Sequence, residues 1–161
     1  GTIYVCLEGF LIFDTSALDD ADVIADVLLS LDGAQDDSTT DFVVTAASST
    51  YNGGAVVTAD WVDGSTLGGL TVYATMNTSA YVAGYNEFLS STANFNAAIN
   101  KTGSTALMIY SDRHRDATVP TGLERTFFTD ADAAGTTTDP KLDITSAPTA
   151  TLKTLATLGV G

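Results

Sequence analysis

The sequence predicts an all-β protein: an antiparallel β-sandwich of jelly-roll type that carries one short helix. Short apolar runs rich in Val, Ile, Thr and aromatic residues recur along the chain, and clusters of Gly, Asp, Asn and Ser separate them. At 161 residues, the chain is long enough for one domain with a substantial core. We therefore expect a single β-sandwich domain at residues 1–146 and a Thr- and Leu-rich tail at residues 147–161.

Most of the predicted strands are recognised by their β-branched and aromatic residues. They cover residues 3–7, 10–13, 41–47, 55–61, 70–75, 106–110, 125–129 and 141–145. The segment that begins at Ile24 is ambiguous. With a period near 3.6, Ile24, Val27 and Leu31 share one helix face, whereas with a period of two, Val27, Leu29 and Leu31 share one strand face. The periodicity alone slightly favours the helix.

One helix is predicted over residues 86–100. Phe88, Phe95 and Ile99 give this segment an apolar side. Gly103, a few residues further on, is typical of the end of a helix.

Charge is distributed unevenly along the chain. Residues 1–100 contain thirteen Asp and Glu and no Lys or Arg, and the whole chain has a net charge of −14. A surface of this sign repels both a nucleic-acid backbone and an anionic membrane. No run of about eighteen apolar residues is present. We therefore expect neither nucleic-acid binding nor membrane insertion, and the acidic, Lys-poor composition favours an extracellular or virion-surface location.

Six segments, taken in order, resemble a known family. They are EGFLIFDTSAL (8–18), DVLLSL (26–31), ADWVDGSTL (59–67), INKTGSTALMIYSDRHRD (99–116), PTGLERTFF (120–128) and DADAAGTTTDPKLDIT (130–145). This pattern resembles the DNRLRE-type β-sandwich domains, which are similar to carbohydrate-binding modules and occur in secreted, cell-surface and phage structural proteins. The resemblance implies that residues 27–31 form a strand after a loop at residues 18–22. It covers residues 8–146 and leaves the tail outside the pattern.

The stretch from residue 111 to residue 145 holds four of the six basic residues of the chain. Arg forms bidentate pairs with carboxylates and suits partly buried ion pairs. We expect structural ion pairs that clasp the ends of the last strands, drawn from one group of residues: Arg113, Arg115, Asp116, Glu124 and Arg125. The alternative is that the Arg-His-Arg sequence around His114 grips a sugar or a carboxylate.

The same stretch contains a candidate calcium site at Asp130, Asp132 and Asp139, because Ca²⁺ prefers carboxylate and carbonyl oxygens. Asp130 and Asp132 match positions one and three of the calcium loop of helix-loop-helix proteins. Ala134 and Lys141 fail the pattern at positions five and twelve. The alternative interpretation is a set of Asp-capped turns, so calcium stays open and no other cofactor is expected.

Aromatic and catalytic residue types give weaker signals. We expect Trp61 to pack in the core, with a sugar-stacking platform as the alternative. His114 is the only His and Cys6 the only Cys, so neither a zinc site nor an internal disulfide is predicted. No nucleophile elbow or phosphate loop is present. We therefore predict that the protein is not an enzyme.

Two features concern the outer surface. Asn77 and Asn100 fit the acceptor pattern for N-glycosylation. Large apolar residues recur in the tail, namely Leu152, Leu155, Leu158 and Val160. Such residues add to the edge of a neighbouring subunit, fold back on their own sheet or remain disordered, and the first of these makes the tail a candidate docking segment.

These observations favour a non-enzymatic structural subunit of a virion or an extracellular fibre, built by contacts between β-sandwich subunits. Its expected partners are copies of itself or other structural subunits. The alternative is a carbohydrate-binding or adhesion module that binds glycans, with or without calcium.

Overall fold

The computed structural model describes residues 4–131 and 137–148, which form one antiparallel β-structure. Its strands are β1 (Gly9–Asp14), β2 (Val23–Asp36), β3 (Val43–Ser48), β4 (Val72–Asn77), β5 (Gly84–Ser90), β6 (Ser104–Ser111), β7 (Thr126–Phe128) and β8 (Lys141–Ala147). Three short helices accompany them: α1 (Gly64–Leu67), α2 (Thr92–Ala98) and α3 (Asp112–Arg115). The predicted all-β fold class is confirmed.

The strands form a curled sheet in the order β1-β6-β3-β4-β5-β2-β7, and β8 also pairs with β2. Between β4 and β5 the sheet is joined by only two residue pairs, Ala74 with Ser90 and Thr75 with Leu89, and core residues come from the strands on both sides of this junction. The two halves of the sheet therefore face each other as the layers of a sandwich do. β2 is the longest strand at 14 residues, and β7 and β8 pair with successive parts of it.

The core lies between the two halves of the sheet. Val27, Leu29 and Leu31 of β2 are buried and pack with Phe88 of β5. This spacing has a period of two, so the strand interpretation of the segment is confirmed and the helical one is wrong. Fully burying a side chain of this size contributes about 1.5–3 kcal/mol, which outweighs the weak local preference for helix.

A second, smaller apolar cluster lies on the outer face of the sheet. Ala47 of β3 and Met108 and Tyr110 of β6 are buried under Leu67 of α1. Asp63 begins this helix, because its carboxylate accepts a hydrogen bond from the backbone N–H of Ser65 at 2.9 Å. The chain from residue 61 to residue 70 thus covers the outer face beside the end of β6.

The predicted helix begins later than expected. Residues 84–90 belong to β5, and the helix α2 occupies only Thr92–Ala98. Asn86 and Phe88 point into the core while Glu87 and Leu89 are exposed, which is the alternation of a strand. Asn86 can be buried because its amide bonds with the backbone of Val82 and Gly84, and this tertiary arrangement leaves no mark in the local sequence.

Two predicted strands are wrong. Residues 4–7 lie outside the sheet, because β1 begins to pair with β6 only at Gly9. Residues 55–61 contain a 3-10 turn at Thr58–Asp60, where the carboxylate of Asp60 accepts a hydrogen bond from the N–H of Val57 at 2.8 Å. This side chain-to-backbone bond competes with strand pairing, as Asp commonly does.

Candidate functional site

The candidate site is built where β6 ends and α3 begins. The hydroxyl of Ser111 accepts a hydrogen bond from the N–H of His114 at 3.2 Å and so caps this single helical turn. The cap fixes the directions of the side chains that follow. Arg113, His114 and Arg115 therefore leave the sheet close together.

Arg113 joins three parts of the chain. Its Nε lies 2.8 Å from Oε2 of Glu124, and its Nη2 donates to the carbonyl of Asp41 at 3.1 Å. The Glu124 side chain is only 2% exposed, and its other oxygen accepts from the N–H and the hydroxyl of Thr121. The carboxylate thus has partners on both oxygens, as a buried charge requires.

The other two arginines make pairs of different kinds. Arg115 bonds with both carboxylate oxygens of Asp116, its neighbour in sequence, at 2.7 and 2.8 Å. Because the two residues are adjacent in sequence, this pair does not connect two strands. Arg125 bonds with Asp37, just beyond the end of β2, at 2.7 Å, and that partner was not among the predicted residues. Hydrogen bonds from these arginines lower the pKa of Asp116 and the pKa of Asp37 below their ordinary values.

Glu8 and His114 form a buried pair that the sequence did not indicate. Nδ1 of His114 lies 3.6 Å from Oε1 of Glu8, and the two side chains are 9% and 2% exposed. The other oxygen of Glu8 accepts a hydrogen bond from the N–H of Val62 at 3.1 Å. Burial raises the pKa of Glu8, and the bond from Val62 and the charge of His114 only partly oppose that rise.

Trp61 covers this pair from outside. Its ring lies 5.0 Å from the ring of His114 at an angle of 33°, and the side chain is 46% exposed. The expectation that Trp61 packs in the core is therefore wrong. The segment after Trp61 approaches His114 so closely that a Cβ atom on Gly64 would lie 2.5 Å from the His114 carbonyl oxygen.

A cavity of about 770 Å³ opens beside these residues. It lies where the pairing of β1 with β6 stops at Gly9, and residues 4–8, which precede β1, form part of its lining. Its apolar lining includes Phe42, Val44, Ile109 and Phe128. The volume is within the range of pockets that bind ligands.

Two further features mark the wall of the cavity. Tyr110 is buried and its hydroxyl makes no hydrogen bond of good geometry among the described residues, although buried hydroxyls usually make one. Burial raises the pKa of this hydroxyl, and the nearby guanidinium of Arg115 only partly opposes that rise. Ala117, also in the lining, has a φ of 48°, a left-handed conformation that is uncommon for a residue with a Cβ atom.

The three aspartates of the candidate calcium site cannot be compared directly, because Asp132 lies outside the described residues. Over residues 4–131 and 137–148, no group of three His, Cys, Asp or Glu side chains could hold a metal ion. The segment that contains Asp139 is held by Tyr85. The Tyr85 hydroxyl lies 2.9 Å from the carbonyl oxygens of Thr137 and Asp139, and Nζ of Lys141 lies 3.5 Å from the centre of its ring.

The two glycosylation candidates are exposed and sit at turns. The side-chain oxygen of Asn77 accepts from the N–H of Ser79 at 2.9 Å. The side-chain oxygen of Asn100 accepts from the N–H of Thr102 at 3.1 Å, and its amide donates to the Ser104 carbonyl at 3.3 Å. Both acceptor groups thus lie at the surface while their side chains stabilise local turns.

In the described part of the chain, no helix is long and apolar enough to cross a membrane. Comparisons of the chain with models of protein families, with curated proteins and with solved structures found no match. The family resemblance of the sequence therefore stays a prediction.

Proposed function

We propose that the protein is a non-enzymatic structural subunit of a virion or an extracellular assembly, and that copies join through the free edge of the curled sheet. The observation that carries the proposal is the composition of the edge strand β1, GFLIFD. Among the described residues, β1 pairs only with β6, so its other edge presents unpaired backbone groups. Such an edge is a template for a strand from another chain.

β1 lacks the features that usually protect an edge strand. Four consecutive apolar residues, Phe10 to Phe13, precede its single charge at Asp14. The strand contains no Lys and no Pro, and its register with β6 has no bulge. Ile12 is 37% exposed. In a monomer this combination invites unwanted association, so a subunit that is meant to assemble is the simpler explanation.

The opposite end of the sheet differs. β7 has only three residues, β8 carries the charges of Lys141 and Asp143, and a register shift interrupts its pairing with β2 between Ile24 and Asp26. A short strand, edge charges and a bulge each discourage pairing with another chain. The difference between the two ends of the sheet favours association through the β1 edge and not through β7 or β8.

The net charge of −14 opposes association of identical subunits. At about 0.15 M ionic strength the screening length is about 8 Å, so salt weakens this repulsion more than it weakens apolar and backbone contacts. We therefore expect association to increase with salt concentration.

Light scattering and electron microscopy of the purified chain test the proposal over a range of protein and salt concentrations. Ile12→Lys should reduce association, because it places a charge on the free edge. Leu89→Lys is the matched control, since Leu89 is 80% exposed but lies on β5, which is paired on both sides. A chain that stays monomeric at high protein and salt concentration would refute the proposal.

The exposed Trp61 supports a second candidate function, a carbohydrate-binding module. A half-exposed aromatic ring can stack on the face of a sugar. Because Trp61 is the only Trp, its fluorescence reports on this position alone. A glycan array read with and without a chelator, followed by fluorescence titration of any binding glycan, decides this alternative. If no glycan binds either with or without the chelator, the carbohydrate-binding function is excluded.

A further inference from the structure

We infer that β1 pairs antiparallel with β1 of a second copy, in the register that places Ile12 opposite Ile12 of that copy. The inference rests on the proposed function, which joins copies through the free edge of the sheet, and it names the partner strand and its register. Among the described strands, β7 and β8 form the other edge, which its short strand, charges and bulge protect. The free edge of β1 therefore finds an unprotected edge only on another β1. Such a contact between identical surfaces is two-fold symmetric, the commonest kind among oligomers.

The backbone groups of β1 divide between its two edges. The N–H of Thr15 donates to the carbonyl of Gly103 at 3.1 Å, in the register that continues the pairing of β1 with β6. In an antiparallel pair, residues that exchange hydrogen bonds with the partner strand alternate with residues that do not. The odd-numbered residues of β1 therefore bond with β6. Phe10, Ile12 and Asp14 direct their N–H and C=O groups to the free edge.

The side chains of β1 alternate in the same way. Leu11 and Phe13 pack against the core between the two halves of the sheet, whereas Phe10 packs against the cluster on the outer face. Residues directly opposite each other in an antiparallel pair place their side chains on the same face. A register that joins the free backbone groups of two copies pairs even-numbered residues with even-numbered ones. It therefore also joins inner face to inner face, and the two copies form one continuous sheet.

Two registers of this kind overlap most of β1, and they differ in their hydrogen-bonded pairs. Centred on Ile12, the two strands form three such pairs: Phe10 with Asp14, Ile12 with Ile12, and Asp14 with Phe10. Centred on Leu11, they form only two within β1, both between Phe10 and Ile12. The next pair in that register would place Glu8 opposite Asp14, and like charges directly opposite destabilise a sheet. The register centred on Ile12 is therefore favoured.

The favoured register also suits the side chains. On the inner face, Leu11 of each copy lies opposite Phe13 of the other, and both are only partly buried in the single chain, so pairing removes apolar surface from water. Asp14 lies opposite Phe10 of the second copy, so the two Asp14 carboxylates are four residues apart along the strands (14 − 10). This corresponds to roughly 14 Å at about 3.4 Å per residue, which exceeds the screening length of about 8 Å.

Introduced cysteines test the register, in a Cys6→Ser background that removes the only native thiol. Ile12→Cys places the two introduced thiols directly opposite each other, within the Cα separation that a disulfide spans. Under mild oxidation it should form linked pairs at least about tenfold faster than Asp14→Cys, whose two copies lie farther apart than a disulfide reaches. Asp14 is the matched position because it is exposed on the same strand and directs its backbone to the same edge.

A charge exchange tests whether residue 12 meets its own copy. Ile12→Lys chains should repel one another at this edge, and so should Ile12→Glu chains. An equimolar mixture of the two should associate roughly tenfold more strongly than either variant alone, because opposite charges across a strand pair attract and like charges repel. Leu89→Lys mixed with Leu89→Glu is the matched control and should show no such gain, since Leu89 is exposed on β5, which is paired on both sides.

The predicted docking tail is a competing occupant of the same edge. Its residues 149–161 lie outside the described part of the chain. A tail that added to the β1 edge would cover Ile12, and Ile12→Cys would then link no faster than Asp14→Cys. The disulfide comparison therefore distinguishes the tail from a second β1.

The outcomes are distinct. Equal linking rates for Ile12→Cys and Asp14→Cys, or a mixture of Ile12→Lys and Ile12→Glu that associates no better than its components, overturns the inference. If the unsubstituted chain associates in light scattering while either result is obtained, the proposed assembly stands and only the pairing of β1 with itself fails. If the unsubstituted chain stays monomeric and Ile12→Cys forms no linked pairs, both fail.

Discussion

Glu8 and His114 stand 106 positions apart in the sequence (114 − 8), yet Oε1 of Glu8 lies 3.6 Å from Nδ1 of His114 and both side chains are buried. The pair ties the chain before β1 to α3 and, through the N–H of Val62, to the segment that covers the outer face of the sheet. Glu8 thus joins three segments that share no strand pairing.

The raised pKa of Glu8 predicts a specific pH dependence of stability. A carboxyl whose pKa is higher in the folded state binds a proton more readily when folded, so its contribution is full below the unfolded pKa and is lost as pH rises through the folded one. As pH rises from about 4.5, the free energy of unfolding of the unsubstituted chain should fall relative to that of Glu8→Gln. The Gln side chain keeps an acceptor for Val62 and cannot ionise. Denaturant unfolding of both chains between pH 4 and pH 7 measures the difference, and a difference that is constant with pH would contradict the prediction.

Gly64→Ala should destabilise the fold. The added Cβ would lie 2.5 Å from the carbonyl oxygen of His114 and 2.9 Å from its ring, so α1 must move away from α3. Overpacking of this kind costs about 1–3 kcal/mol. Gly68→Ala is the control, because its Cβ would meet nothing within 4 Å and its φ of −64° suits Ala. Urea unfolding should show a loss only for Gly64→Ala, and equal midpoints for the two variants would argue against the close approach.

Arg113→Ala should cost much more than Arg115→Ala. Removing Arg113 leaves the buried Glu124 carboxylate without its cation, and an uncompensated buried charge costs about 3–5 kcal/mol. We expect the lower end of this range, because Arg113 itself is partly exposed. Arg115 pairs with an exposed Asp116, and such surface pairs contribute little to stability because solvent screens them. Thermal unfolding of the two variants gives the comparison, and similar losses would show that Arg113 is no more important than a surface arginine.

Much of the sheet could be predicted from the sequence, because β-branched and aromatic runs mark strands locally. Residues 43–48, 104–111 and 141–147 are examples of strands found within predicted or nearly predicted bounds. β5 could not be separated from α2, because Phe88 and Leu89 fit a helix face equally well. The structure distinguishes the two: Phe88 is buried and pairs with Leu29, whereas Leu89 is exposed, and this alternation identifies a strand.

The candidate site was less accessible to sequence reasoning. The group of arginines was visible because basic residues are rare in this chain. Asp116 and Glu124, which lie in the same stretch, were among the predicted residues, whereas Asp37, the partner of Arg125, was not, because it is one of many acids and only the fold brings it close. Glu8 gave no signal at all: its role depends on burial beside Val62 and His114, which no local spacing encodes. The position of Trp61 could not be derived either, because a large aromatic residue is equally compatible with a core position and with a partly exposed position against another side chain.

The dual pairing of β2 has a consequence for the order in which the chain folds. β8, the last strand described, pairs with the first half of β2, and the hydroxyl of Ser146 bonds with Asp22 across 124 residues of sequence. Pairing at such a separation costs loop-closure entropy before the strand contacts form, so we expect β8 to add to the sheet slowly. During synthesis, the first half of β2 therefore has no strand partner until β8 has left the ribosome. Any truncation before residue 141 would release a chain whose longest strand has lost the partner for its first half.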